Sequence, residues 1–110
     1  MLRGILLAAL LPAMAHAQAV QYANRSGAIT TGGQSQQLTV AWAARRGCMV
    51  QNTSAGDLWV RVTAGGGATL SQPSVKIPTG STWYCSAPAP ADAMQIIGAT
   101  SAQAFTAWEW

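Results

Sequence analysis

Few side chains in this 110-residue chain can do chemistry, and their spacing limits them further. Cys48 and Cys85 are the only thiols, and His16 is the only imidazole. A catalytic thiol needs a base beside it, and a zinc site needs about four nitrogen, sulfur or carboxylate ligands. His16 falls in a segment that reads as a cleaved leader, which leaves the two cysteines without partners for either task. In an exported small domain, two cysteines read as one disulfide. Closing the loop between Cys48 and Cys85 is worth roughly 4 kcal/mol in the chain-entropy treatment.

The acid–base inventory is equally thin. Asp57, Asp92 and Glu109 are the only carboxylates, and Lys76 is the only lysine, with no Ser-x-x-Lys spacing before it. A glycosidase needs two carboxylates at a set separation, and a hydrolytic serine needs a positioned base. No two carboxylates lie close enough in sequence to suggest a calcium loop. Gly65-Gly66-Gly67 lacks the Lys-Ser/Thr that would follow it in a phosphate loop, so it reads as a flexible linker. The chain is therefore expected to be non-enzymatic, with no cofactor and no metal.

Aromatic residues are the remaining functional signal. Five tryptophans, Trp42, Trp59, Trp83, Trp108 and Trp110, are many for one small core. In Leu58-Trp-Val-Arg-Val62, Leu58, Val60 and Val62 share one face and Trp59 and Arg61 the other. Near the C-terminus, Phe105 and Ala107 share a face, opposite Thr106, Trp108 and Trp110. With the aliphatic faces inward, Trp59, Trp108 and Trp110 point outward, as a protein interface or a sugar-stacking platform. A second sheet or a loop could instead cover them. Subunit contact is favoured over a glycan, because tryptophan anchors recur at protein interfaces.

These residues must be positioned by strands. Residues 27–31, 37–42, 47–51, 58–62, 75–77, 81–85, 94–97 and 104–110 read as short strands divided by glycine, proline and asparagine turns. Leu38 and Val40 are expected on one face. Two hairpins are expected, one through Asn52-Thr-Ser-Ala-Gly-Asp57 and one across Gly98 to Ser101. No segment after residue 17 keeps helical periodicity over three turns. The fold class is all-β, an antiparallel β-sandwich or small jelly roll. An outer-membrane barrel would consume almost every residue in strands, against the proline loop Ala87–Ala91 and the glycine runs.

Before the domain, Met1-Leu2-Arg3-Gly4, the apolar run Ile5–Leu11 and Ala15-His16-Ala17 have the pattern of a secretory signal peptide. The run is far short of the roughly 20 residues a membrane span needs, so no span is expected in a mature chain. The expected organisation is a signal-like segment at 1–17, a flexible lead-in at 18–26 and a single β-domain at 27–110. Beyond residue 17, Arg25, Arg45, Arg46, Arg61 and Lys76 face the three carboxylates. These cations are too few and too dispersed for nucleic-acid binding. Arg45-Arg46 reads as a solvated turn. Asn24 and Asn52 match glycan acceptor patterns, and Asn52 reads rather as a residue that stabilises its own turn.

The stretches Arg45–Val60, Pro73–Pro78 and Ile96–Trp110 resemble small β-rich proteins encoded in bacteriophage and prophage structural-gene regions. The likeness covers roughly residues 27–110 and rests on packing and turn residues, with no catalytic residues to transfer. It implies a compact β-domain that decorates or completes a virion, as a capsid, spike or tail-fibre accessory, and assembles with other protein subunits as an oligomer. The alternative is a periplasmic or surface domain that stacks a glycan on its tryptophans. The signal-like segment favours export, and a virion protein has no need of it.

Overall fold

The computed structural model describes residues 21–63 and 65–110, so the signal-like segment 1–17 and residues 18–20 lie outside the described residues. Alternating apolar positions and frequent turn formers give nine short strands among the described residues. These are β1 (Ala23–Asn24), β2 (Gly27–Ala28), β3 (Gln36–Thr39), β4 (Cys48–Asn52), β5 (Leu58–Val62), β6 (Val75–Ile77), β7 (Thr82–Tyr84), β8 (Met94–Gly98) and β9 (Ala104–Glu109). Among the described residues there is no helix. All pairings are antiparallel.

One sheet runs β1–β9–β4–β7, with β2 also paired to β9, and the other runs β3–β8–β5–β6. Counting β1 and β2 as one interrupted strand gives eight strands in jelly-roll order: the last lies between the first and β4, and β8 lies between β3 and β5. The chain is an antiparallel β-sandwich of that topology.

Both expected hairpins are instead arches between sheets. β4 and β5 lie in different sheets, as do β8 and β9, and the only sequence-adjacent strands that pair are β5 and β6. The reason is that β4, β5, β8 and β9 each carry one apolar face. Two such strands in succession can bury those faces by packing across the core instead of pairing side by side. Residues 23–26, expected in a flexible lead-in, belong to the sheet or its contacts. Ala23 pairs with Glu109, Asn24 pairs with Trp108, and the Arg25 amide donates to the Ala107 carbonyl at 2.7 Å.

Cys48, Val50, Phe105 and Ala107 line the core from the first sheet, and Leu58, Val60, Ile77, Met94 and Ile96 from the second, with Ile29 and Leu38 closing it. Trp83, opposite Val50 in register, packs against this cluster. Leu38 and Val40 do not share a face. The β3–β8 register slips between Gln37 and Thr39, and this bulge buries the consecutive Leu38 and Thr39 while Val40 is exposed. The disulfide joins Cys48 to Cys85, with Cα atoms 5.2 Å apart, and so ties β4 to the end of β7. The Cys48 sulfur also touches Met94 of the opposite sheet at 3.8 Å.

The Gly65-Gly66-Gly67 segment is held in place. Arg61 donates to the Gly67 carbonyl at 3.1 Å, and the Ala68 amide donates to the Ser35 hydroxyl at 2.8 Å. Arg61 is on the outward register of β5, and Ser35 immediately precedes β3 at the far edge of the second sheet. The segment therefore crosses that outer face, from the end of β5 toward β3.

Candidate functional site

Alternation along β9 decides what the molecule presents. Phe105, Ala107 and Glu109 point inward, so Thr106 and Trp108 point outward, and Trp110 continues the outward row. In register across the sheet, Trp108 stands beside Asn24 on β1 and Met49 on β4, and Met49 stands beside Tyr84 on β7. Trp108 and Tyr84 are thus two strands apart, about 10 Å. Just past β9, Trp110 exchanges two backbone hydrogen bonds with Gly47 and lays its indole over that glycine. A methyl group at Gly47 would sit 2.5 Å from the ring. Tyr22 packs beside Trp110 with ring centroids 5.4 Å apart. The result is an aromatic strip of Tyr22, Trp110, Trp108, Met49 and Tyr84. Tyr22 is 63% exposed, Tyr84 65% and Trp108 37%. Beside it runs a polar row of Thr106, Gln51 and Thr82.

The structure brings Trp108 and Trp110 together and places Trp59 elsewhere. Trp59 lies on the outer face of the second sheet, in register with Lys76 and Ile97. It is partly buried on the face crossed by the glycine segment, and Ile97 beside it is buried. Tyr22, Met49 and Tyr84 were not expected at a site. For Met49 and Tyr84 the signal is the disulfide: once Cys48 and Cys85 bridge neighbouring antiparallel strands, Met49 opposes Tyr84.

Below the strip lies the ionic end of the sandwich. Glu109 is buried on the inner face, and its two oxygens accept from Arg45 Nε at 2.8 Å and Arg25 Nε at 2.6 Å. Arg45 is not a solvated turn residue. Its side chain has no exposed area, and its remaining four donors reach the carbonyls of Pro90, Asp92 and Val40 and the Thr39 hydroxyl. All five guanidinium N–H groups are therefore used. The inward parity of Glu109 requires this, because a buried carboxylate without a cation is costly. Arg46, the other member of the pair, is exposed.

Between β1 and the chain leaving β3 is a cleft of about 300 Å³, whose lining includes Tyr22, Ala23, Arg25, Val40, Trp42 and Glu109. Tyr22 therefore borders both the strip and this cleft. At the opposite end, Asn52 is fully buried. Its amide donates to Gly56 and Ile77 carbonyls at 2.7 and 2.8 Å, and its oxygen accepts from the Ser54 amide and hydroxyl. As folded, Asn52 has no free amide to carry a glycan.

Asp57 and Glu109 are not assembled into a pair. Asp57 lies near Lys76, at 3.5 Å on the surface, while Glu109 is at the other end of the sandwich. Among the described residues no group of three or more His, Cys, Asp or Glu side chains could hold a metal ion. No helix among them is long and apolar enough to cross a membrane. No protein-family model, curated protein or solved structure matches the chain.

Proposed function

We propose that the protein is a non-enzymatic structural accessory subunit, of the virion-decoration or spike type, which docks on other protein subunits through its aromatic strip. The supporting observation is the contrast in exposure: among the described residues no element covers Tyr22, Trp108 and Tyr84, whereas a loop segment crosses the other outer face. Exposed Tyr and Trp around a half-buried Met, with few charges, is the composition of interface cores. The jelly roll is used by viral capsid domains, which supports the reading by fold analogy alone. The test is a Trp108→Ser/Tyr84→Ser double variant, measured for oligomeric state by light scattering and for co-sedimentation with phage particles. The parent chain should associate and the variant should not, at unchanged melting temperature. A parent protein that is strictly monomeric and binds no particle overturns the proposal.

A second reading has its own observation. Trp108 and Tyr84, two strands apart beside the polar row Thr106–Gln51–Thr82, have the form of a stacking floor with hydrogen-bonding groups alongside, as in a glycan-binding domain of an exported protein. It predicts quenching of tryptophan fluorescence on titration with polysaccharide, and a flat titration counts against it. The disulfide fits an oxidising compartment, reached by export or on release of a virion. Intact mass separates these routes: a chain starting at Gln18 supports export, and one starting at Met1 supports assembly.

A further inference from the structure

The cleft beside β1 combines an apolar wall with a partly exposed cation. One wall is the segment Val40–Trp42. The Val40 carbonyl is held by Arg45 at 2.8 Å, and the Trp42 amide donates to the Ala91 carbonyl at 2.8 Å. The other wall is β1, hydrogen-bonded to β9. Both walls are therefore held by hydrogen bonds to the rest of the fold, and the cleft volume is at the lower end of small-ligand sites.

Two guanidinium groups, Arg25 and Arg45, meet one carboxylate, Glu109. Arg45 is buried and has no donor left. Arg25 is different: among the described residues only its Nε is engaged, its side chain is 41% exposed, and it lines the cleft. The outer edge of its guanidinium, with both terminal nitrogens, can take a carboxylate in a paired geometry. Repulsion from Glu109 is offset by Arg45 on its far oxygen. Val40, exposed on the apolar wall, and Trp42 beside it offer surface to an aliphatic or aromatic side chain.

We infer that this cleft binds a peptide segment carrying a carboxylate next to an apolar side chain, with the carboxylate on Arg25 and the apolar group against Val40 and Trp42. The site adjoins the aromatic strip at Tyr22 but takes its ligand on Arg25, Val40 and Trp42, and does not depend on the strip being an interface. It would supply a cationic recognition point, for an acidic side chain, to one side of the aromatic strip.

The test uses the full chain labelled with nitrogen-15 and two probes, acetyl-Leu-Asp-amide and acetyl-Leu-Asn-amide, followed by NMR. The aspartate probe should shift the Trp42 indole and Arg25 Nε signals and bind about tenfold more tightly than the asparagine probe, as loss of a charge-assisted pair implies. Val40→Glu changes an exposed side chain and places a competing carboxylate at the cleft, so it should abolish the shifts without altering the melting temperature. Trp108→Ser/Tyr84→Ser should leave them intact, which separates failure of this site from failure of the strip. Equal binding of the two probes, no shifts at all, or shifts confined to Trp108 and Trp110 would overturn the inference. Equal shifts with sodium acetate at the same concentration would also overturn it, by removing the apolar half of the site.

Discussion

The two ends of this sandwich solve the same problem with different chemistry. Each must close a core where strands give way to loops, and each buries a polar side chain to do so. At one end Glu109 sits between Arg45 and Arg25, close to the disulfide. At the other, Asn52 and Gln103 close the gap with neutral amides. Gln103 donates to Ser54 and to the Asp57 carbonyl, each at 3.1 Å, and accepts from the Thr100 amide at 3.0 Å. No buried side-chain nitrogen or oxygen among the described residues lacks a partner. The amide end satisfies itself and leaves no charge over. At the ionic end the terminal nitrogens of Arg25 have no partner among the described residues, in the lining of a cleft and beside the aromatic strip. Both candidate recognition surfaces therefore meet at the ionic end.

The largest expected effect breaks the ionic end. Glu109→Ala leaves Arg45 charged, buried and without its carboxylate, which should cost about 3–5 kcal/mol. In a domain of this size that lowers the melting temperature by roughly 15 °C or more. A lone buried ion pair can often be replaced by apolar residues at little cost. Here Arg45→Met/Glu109→Leu should not recover stability, because Arg45 also satisfies three carbonyls and a hydroxyl. Recovery to the parent melting temperature would mean that those four bonds contribute little.

The disulfide comes next. Cys48→Ser/Cys85→Ser should cost roughly 4 kcal/mol by releasing the constraint on the unfolded chain. Mass spectrometry of the native protein without reductant should find no free thiol. Because Cys48 opposes Glu109 in register, the losses from this variant and from Glu109→Ala should not simply add. A double-mutant cycle by chemical denaturation reads that coupling.

At the amide end, Asn52→Ala removes two donated bonds and two accepted ones and leaves the Ile77 carbonyl buried without its amide partner. The expected cost is about 2–3 kcal/mol, less than at the ionic end because no unpaired charge is left behind. A loss equal to or greater than that of Glu109→Ala would reverse the ranking of the two ends.

How far sequence reading reaches depends on which kind of information a residue carries. Face assignment is legible, since alternation puts Leu58 and Val60 inward and Trp59 and Trp108 outward. Pairing is not, because an amphipathic strand followed by a turn and a second amphipathic strand suits a hairpin and an inter-sheet arch equally. Local register fails where a bulge intervenes, as between Gln37 and Thr39. Arg45 is misread because a basic pair next to a glycine usually marks solvent. The correcting signal is remote in sequence: Glu109 alternates with Phe105 and Ala107, so it shares their buried face and needs a cation there. The aromatic strip is half visible for a similar reason. Trp108 and Trp110 declare themselves along one strand, whereas Tyr22 and Tyr84 join them only through strand neighbours on β1 and β7.

The smallest prediction adjusts the amide end without breaking it. Ala102 sits in the turn between β8 and β9 with φ of 69°, in the left-handed region where a Cβ is unfavourable. Its amide donates to the Ile29 carbonyl at 2.7 Å, and Gln103 follows it directly, so the turn that carries the strained residue also aims the closing amide. Ala102→Gly keeps the backbone bond and removes the Cβ conflict, at the cost of a freer unfolded chain. The net gain should be about 0.5–1 kcal/mol, a rise of a few degrees in the melting temperature. Gln103→Ala should lose more than Ala102→Gly gains, because the Thr100 amide and the Asp57 carbonyl lose their partner. If Ala102→Gly instead destabilises the protein, the turn is held by its rigidity in the native chain. The amide end would then depend on that turn as the ionic end depends on Arg45.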